Sequence, residues 1–301
     1  MDENKLLIYT LEKLKGNFAT ANVTRILNEE GYDINFAKKI CYRMFEICEK
    51  DLETYDQAIQ DFIDLSVEFI VLQSELEKTR RYKYHNFEEV EKSILENKDI
   101  MPGRYLNGLL FSQAFWLNHC KIIKFFKERF CVSNKQGTVL EVPIGTGIFL
   151  SEFMQKNEKW TFKGKDLSTF SVNFATKYIS INNGKNADIS KKNLFDIEEN
   201  NKYDKIICGE LMEHLDDPKK LLLKLKNLLK NEGEIFLTTV VWLAHIDHIY
   251  LFKSVDEIRK MVEPFFVIKE ELILPLEQAK VSDVMPINYA VILKHKEDIQ
   301  K

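Results

Sequence analysis

A carboxylate set just ahead of two glycines makes the run Val139-Leu-Glu-Val-Pro-Ile-Gly-Thr-Gly-Ile-Phe-Leu150 a candidate ligand edge. Gly145 and Gly147 let the backbone turn tightly and approach a ligand without Cβ interference. The dinucleotide fingerprint needs a further glycine three residues on, where this chain carries Leu150. Glu141 beside such a loop would repel a pyrophosphate but attract the ammonium of an amino acid. No Gly-x-x-x-x-Gly-Lys-Ser/Thr string occurs, which excludes a P-loop. A second carboxylate, Asp166, follows Gly147 by 19 positions, a distance at which a strand-end acid accepts both ribose hydroxyls of a nucleotide. Proton-transfer chemistry has its own candidates. Of the six histidines (His85, His119, His214, His245, His248, His295), three fall in the segments Glu213-His214 and His245-Ile-Asp-His248. An imidazole titrates near about 6.5 and readily takes a proton from a hydroxyl or an acidic carbon. His214, His245 and His248 are therefore the candidate bases.

These residues need a scaffold, and the pattern from Gly137 onward supplies one. Val139, Leu140 and Val142 suit a strand covered on both faces. Thr146 is placed to cap a helix opened by Ile148, Phe149 and Leu150. Phe162 to Ser168 reads as a second strand ending in Asp166, and Asn193-Leu-Phe-Asp196 as a short turn. Tyr203 to Cys208 reads as a fourth strand that runs into Gly209-Glu-Leu-Met-Glu-His214. The amphipathic stretch Leu221 to Leu229 is stopped by Asn231-Glu-Gly233, and the strand Glu234 to Val240 follows. Pro264 to Leu274 and Asn288 to Lys294 form a closing hairpin, with Leu276 to Met285 as a loop toward an acceptor pocket. Alternating strands and helices make this half a doubly wound α/β sheet.

Residues 1 to about 130 have a different texture. They hold only Gly16, Gly31, Gly103, Gly108 and Pro102 as punctuation. Phe62, Leu65, Phe69 and Leu72 share one helix face, within a helix expected over Asp56 to Lys83. Val23, Ile26 and Leu27 mark a shorter helix that stops near Gly31. After the turn signal Met101-Pro-Gly-Arg104, residues up to 130 read as a helix apolar on most sides, hence buried on most sides. The loop Val132 to Gly137 divides the two textures, giving a helical domain over 1–130 and an α/β domain over 131–301.

The hydrophobic-Glu141-Val-x-x-Gly145-x-Gly147 run, Asp166, the Asn193-Leu194 turn and the Glu210-x-x-Glu213-His214 turn occur in the order of the class I S-adenosylmethionine-dependent methyltransferases. The chain resembles that family over about residues 137 to 295, and Pro143 departs from it where many members carry the first glycine. The resemblance implies a mostly parallel seven-stranded sheet and S-adenosylmethionine as cofactor. It also implies roles. Glu141 faces the methionine portion, with Pro143, Gly145 and Gly147 in the loop around it. Asp166 takes the ribose hydroxyls, Leu167, Asn193 and Leu194 enclose the adenine, and Gly209 and Glu210 floor the transferring methyl. The segment after residue 101 looks like a lid, whose Tyr105 and Trp116, with Glu213 below, would meet an acceptor of some hydrophobic surface. The acceptor is expected to be a small molecule, or a small group on a carrier, modified at oxygen or carbon.

Rival readings attach to the histidines. Glu213-His214 serves equally as a helix cap, and His248 as packing for a linker into a helix capped by Ser254. His245, Asp247 and His248 with His214 have the ligand types of a two-histidine-one-carboxylate centre. Some methyltransferases of 2-oxo acids use a metal, but the spacing matches theirs too loosely to assign any ligand here. A last alternative is a non-catalytic, methyltransferase-like interaction protein.

Composition narrows the partners. With 301 residues, 45% of them hydrophobic, the chain has ample core. A net charge of −4 and a pI of about 6.0 disfavour nucleic acid. No apolar run reaches the roughly 18–20 residues of a membrane span, and no signal pattern opens the chain. Cys41, Cys48, Cys120, Cys131 and Cys208 lie far apart without a C-x-x-C pair, as in a reduced cytoplasmic protein. The helical domain is a candidate dimerisation surface.

Overall fold

Strands that bury their apolar residues alternate with helices to build a seven-stranded sheet in the order β3-β2-β1-β4-β5-β7-β6. The computed structural model describes residues 1–133, 136–181, 186–276 and 283–296. Helical segments come first: α1 (Glu3–Lys15), α2 (Val23–Leu27), α3 (Ile34–Ile47), α4 (Leu52–Thr79), α5 (Phe87–Val90), α6 (Leu106–Phe115) and α7 (Leu117–Phe125). The α/β part follows as β1 (Thr138–Glu141), α8 (Ile148–Lys156), β2 (Thr161–Asp166), α9 (Thr169–Ser180), β3 (Asp188–Lys191), β4 (Tyr203–Cys208), α10 (Pro218–Leu228), β5 (Leu229–Val241), α11 (Val255–Val262), β6 (Phe266–Pro275) and β7 (Ile287–His295).

Strands β1 to β5 run parallel, and β7 enters antiparallel between β5 and β6. The order reverses between β1 and β4, so their carboxyl ends flank the crevice where ligands bind in open α/β sheets. The closing hairpin is the one the sequence pattern predicts. Most of the expected loop between its strands, residues 277–282, lies outside the described residues.

Several boundaries move for local reasons. The long helix begins at Leu52 rather than Asp56, because the Asp51 carboxylate accepts from the Thr54 amide at 2.8 Å and caps it there. It ends at Thr79 rather than Lys83, where Arg80 turns left-handed at φ +58°. Strand β5 begins at Leu229, ahead of the expected Glu234, since Leu229 pairs with Tyr203 across a register shift. The single helix expected after residue 101 is divided. Met101–Tyr105 and Phe126–Phe130 are π-helical turns, and extended backbone at Trp116 (φ −105°, ψ 119°) separates α6 from α7.

The helical region does not stand apart from the sheet. One buried cluster runs from Leu6 and Phe36 through Phe111 and Phe126 to Ile207 and Phe236. Phe126 lies 4.9 Å from Phe236, 5.0 Å from Phe149 and 5.6 Å from Phe130, centroid to centroid, locking the end of the helical region onto the sheet face. A buried polar contact backs it: Arg43 of α3 donates to Ser151 Oγ of α8 at 3.0 Å and to Tyr178 OH of α9 at 2.9 Å. Replacing fully buried Phe126 with alanine should therefore cost about 3–5 kcal/mol, read as a lowered urea midpoint.

Candidate active site

Strand β1 ends at Glu141, and the chain then stays tied to its neighbours: Val142 N donates to Ile207 O and Ile144 N to Lys165 O, each at 2.9 Å. The two glycines divide the work. At Gly145 (φ +50°) an added Cβ would meet no atom within 4 Å, so that face is open for a ligand. At Gly147 (φ +74°) it would lie 3.0 Å from the Ala175 Cβ, so this glycine lets α8 pack against α9. Gly147 also occupies the N-cap position of α8, and no side chain caps there, contrary to the role expected of Thr146. Glu141 does the capping instead: its Oε2 accepts from the Leu150 amide at 2.9 Å. Burial lifts the Glu141 carboxyl well above its ordinary range.

Asp166 closes β2 beneath the same loop. Its Oδ2 accepts from the Gly145 amide at 3.0 Å and its Oδ1 from the Ser168 amide at 2.8 Å. Burial pushes this carboxyl up to about 6 despite those hydrogen bonds.

A second polar cluster forms where the turns after β4 and β5 meet. The Glu213 carbonyl accepts from both Ile249 and Tyr250 amides at 2.9 Å, pinning the two turns together. Glu210 takes a left-handed φ of +46°, held by bonds from its amide to Thr238 O and Oγ1 at 3.1 and 3.0 Å. The result gathers three imidazoles around Asp247, which is 1% exposed. His245 Nδ1 lies 2.6 Å from Asp247 Oδ1, and Tyr105 OH donates to Asp247 Oδ2 at 2.5 Å. His214 Nδ1 donates to the Asp247 carbonyl and His248 Nδ1 to the Leu243 carbonyl, each at 3.0 Å. Burial favours the neutral acid at Asp247, but His214 and His245 outweigh it and hold the carboxyl far below the ordinary range. Burial likewise opposes charge on His245, yet Asp247 lifts it above an ordinary imidazole. Burial, then His214, drive His248 well below that value. Glu210 and Glu213 are both raised, first by burial.

Both clusters open into one cavity of about 420 Å³. Glu141, Pro143, Gly145, Asp166, Leu167, Asn193, Leu194, Gly209 and Glu210 line it, as do Tyr105, Trp116, His214, His245 and His248. Two expected site residues do not: Gly147 is spent on helix packing, and Glu213 lies fully buried, its Oε2 accepting from Thr239 Oγ1 at 2.6 Å. The helical region supplies the roof, including Phe69, Phe87 and Leu109, and the Phe87 amide donates to Asp216 across the cavity mouth at 3.3 Å. Ser254 caps α11 as expected, its Oγ accepting from the Glu257 amide. His119 also faces the cavity with its Nδ1 beside Ser112 Oγ at 2.9 Å, and burial brings it down to about 4. Neither His119 nor Phe69 carries a local sequence signal for this place. Asp247 did, as the acid between two histidines. Among the described residues, two groups could hold a metal, Glu213-His214-His248 and His245-Asp247-His248, each with its donor atoms within 4.8 Å of one another.

A family model described as a methyltransferase domain matches residues 115–266. A ubiquinone biosynthesis O-methyltransferase of Actinobacillus pleuropneumoniae is 34% identical over 108 residues, spanning 34% of this chain and 45% of that protein. The chain thus spans less than half the length of such relatives. A tRNA U34 carboxymethyltransferase of Nautilia profundicola is 27% identical over 217 residues, 69% of each chain. In fold, the chain is similar to phosphoethanolamine N-methyltransferase 2 of Haemonchus contortus in complex with S-adenosyl-L-methionine, at TM-score 0.53 and 16% identity over 71% of this chain and 61% of that one.

The raised Asp166 carboxyl has a consequence for stability. Its folded value, about 6, lies above the ordinary 3.8, so the native state binds the proton more tightly between those limits. Stability contributed by this group is present below about pH 4 and lost as pH rises through 6. Wild type should therefore lose about 2–3 kcal/mol relative to Asp166→Asn between pH 4 and pH 7, measured by urea unfolding of both.

Proposed function

This chain belongs to the methyltransferase domain family, of the class I S-adenosylmethionine-dependent kind, and on that premise we propose that it methylates a small molecule, or a small group on a carrier, at oxygen or carbon. The observation that carries the reading is a single cavity joining the glycine loop and Asp166 to the His245–Asp247 pair.

The residues fit the donor. The space a Cβ would take at Gly145 is open, and acids outnumber bases along the lining: Glu141, Asp166, Glu210, Asp216, Asp217 and Asp247 against Lys192 and Lys220. Such a cleft favours a cation. When bound, S-adenosylmethionine supplies a methyl group made electrophilic by its positively charged sulfur. Asp166 would take the ribose hydroxyls, with Leu167, Asn193 and Leu194 beside the adenine. Glu141 and Pro143 would face the methionine portion, and Gly209 and Glu210 the reacting end.

On the acceptor side the protein orients, excludes water and removes a proton. His245 is the base of this reading. Its Nδ1 is committed to Asp247, while its buried Nε2 has no hydrogen-bond partner among the described residues. Asp247 fixes that tautomer and stabilises the imidazolium that forms. Phe69, Leu109 and Trp116 would hold an apolar portion of the acceptor and keep solvent out.

Calorimetric titration with S-adenosylmethionine tests the donor assignment: wild type should bind, and Asp166→Ala should weaken binding by roughly 1–3 kcal/mol. No binding to wild type would turn attention to an interaction role. With methyl-labelled donor and a metabolite extract as acceptor source, His245→Ala should lower methyl incorporation by about 10²–10⁴ without changing donor affinity. Unchanged incorporation would remove His245 from the role of base.

A further inference from the structure

Behind the cavity floor sit ionisable groups that the mechanism above leaves unused. Glu213 is fully buried, and its Oε1 has no hydrogen-bond partner among the described residues. No Lys or Arg among the described residues pairs with Glu213 or with Glu210 beside it. A fully buried carboxyl without a compensating cation is costly to hold.

The histidines next to them are arranged alike. His214 and His248 each commit Nδ1–H to a backbone carbonyl at 3.0 Å, so Nε2 is the atom each has to offer a ligand. Metal-ligating histidines almost always donate their other ring N–H in this manner, which fixes tautomer and ring orientation. Thr239 Oγ1 does the same for the carboxylate, binding Glu213 Oε2 at 2.6 Å.

We propose that Glu213, His214 and His248 form a binding site for one divalent transition-metal ion. Their donor atoms lie within 4.8 Å of one another, close enough for small side-chain adjustments to bring all three to the roughly 2.0–2.2 Å of one ion. A carboxylate with two imidazoles suits Mn²⁺, Fe²⁺ or Zn²⁺ and leaves coordination positions open. The overlapping trio His245-Asp247-His248 serves differently. Both Asp247 oxygens are engaged, by His245 Nδ1 and by Tyr105 OH, so Asp247 supports the ligands rather than joining them. His214 and His248 line the cavity, and the ion's open positions face that space. There it would take an acceptor hydroxyl oxygen and lower its pKa, a role that rests on the methyl-transfer reading, whereas metal binding does not.

The test uses the 301-residue chain, stripped with EDTA and titrated calorimetrically with Mn²⁺ and, separately, with Zn²⁺. One ion per chain is expected. Glu213→Gln and His248→Ala should each weaken binding at least about tenfold, and His119→Ala, in the same cavity, should not. Should either variant misfold, Mn²⁺ broadening of the His214 and His248 imidazole resonances in wild type answers the same question. No binding to wild type, unchanged affinity in both variants, or broadening confined to other histidines would overturn the site. Parallel titration with S-adenosylmethionine separates the two readings: metal binding without donor binding would sink the methyltransferase reading and leave the metal site standing.

Discussion

The buried carboxylate of Asp247 is the constraint around which the histidine end of the cavity is organised. At 1% exposure a negative charge persists only with strong local partners, and the imidazoles of His214 and His245 and a tyrosine hydroxyl provide them. Those partners arrive from three separate places: the turn after β4, the turn after β5, and the π-helical turn ending at Tyr105. Satisfying one anion thereby orients His245 and ties the helical roof to the sheet, while backbone carbonyls of the same turn hold His214 and His248. Glu213 reinforces the arrangement through its own backbone carbonyl, which accepts two amides from the opposite turn.

The glycine-loop end follows a related logic with the opposite electrostatic outcome. Glu141 and Asp166 have no cationic partner among the described residues and accept amide hydrogens instead, from Leu150, Gly145 and Ser168. Burial therefore wins, and both carboxyls are raised. Holding such acids beside an open glycine loop lowers stability in exchange for a cavity suited to a positively charged ligand. The cost is borne by the packing around them, above all the aromatic cluster of Phe126, Phe130, Phe149 and Phe236. That cluster also makes the helical region continuous with the sheet, so the roof is anchored at both ends of its last helices.

Much of this was legible in the chain itself. The strand–glycine–helix run, the acid at the end of the second strand and the Glu-His turn after the fourth are local patterns. Their order determined the sheet, its closing hairpin and the place of the glycine loop at its edge, because strand periodicity and turn chemistry act over a few residues. Local reasoning failed where two neighbours compete for one task. Thr146 was adjacent to the α8 N-terminus, but Glu141 reached its free amide first. The apolar run after residue 101 concealed a break at Trp116, since hydrophobicity on all faces carries no period from which to read a kink.

Only the tertiary structure decided which histidine does what. His214, His245 and His248 are chemically equivalent in sequence, and their differences arise from what each Nδ1 meets in space: two backbone carbonyls and one carboxylate. The same holds for Tyr105, which lies 142 positions from the Asp247 it bonds, and for Phe69 and His119, which enter the cavity from the roof. Sequence determined the types of groups available and the edge of the sheet they would reach. Folding chose their partners, because hydrogen-bond geometry and burial depend on elements far apart along the chain.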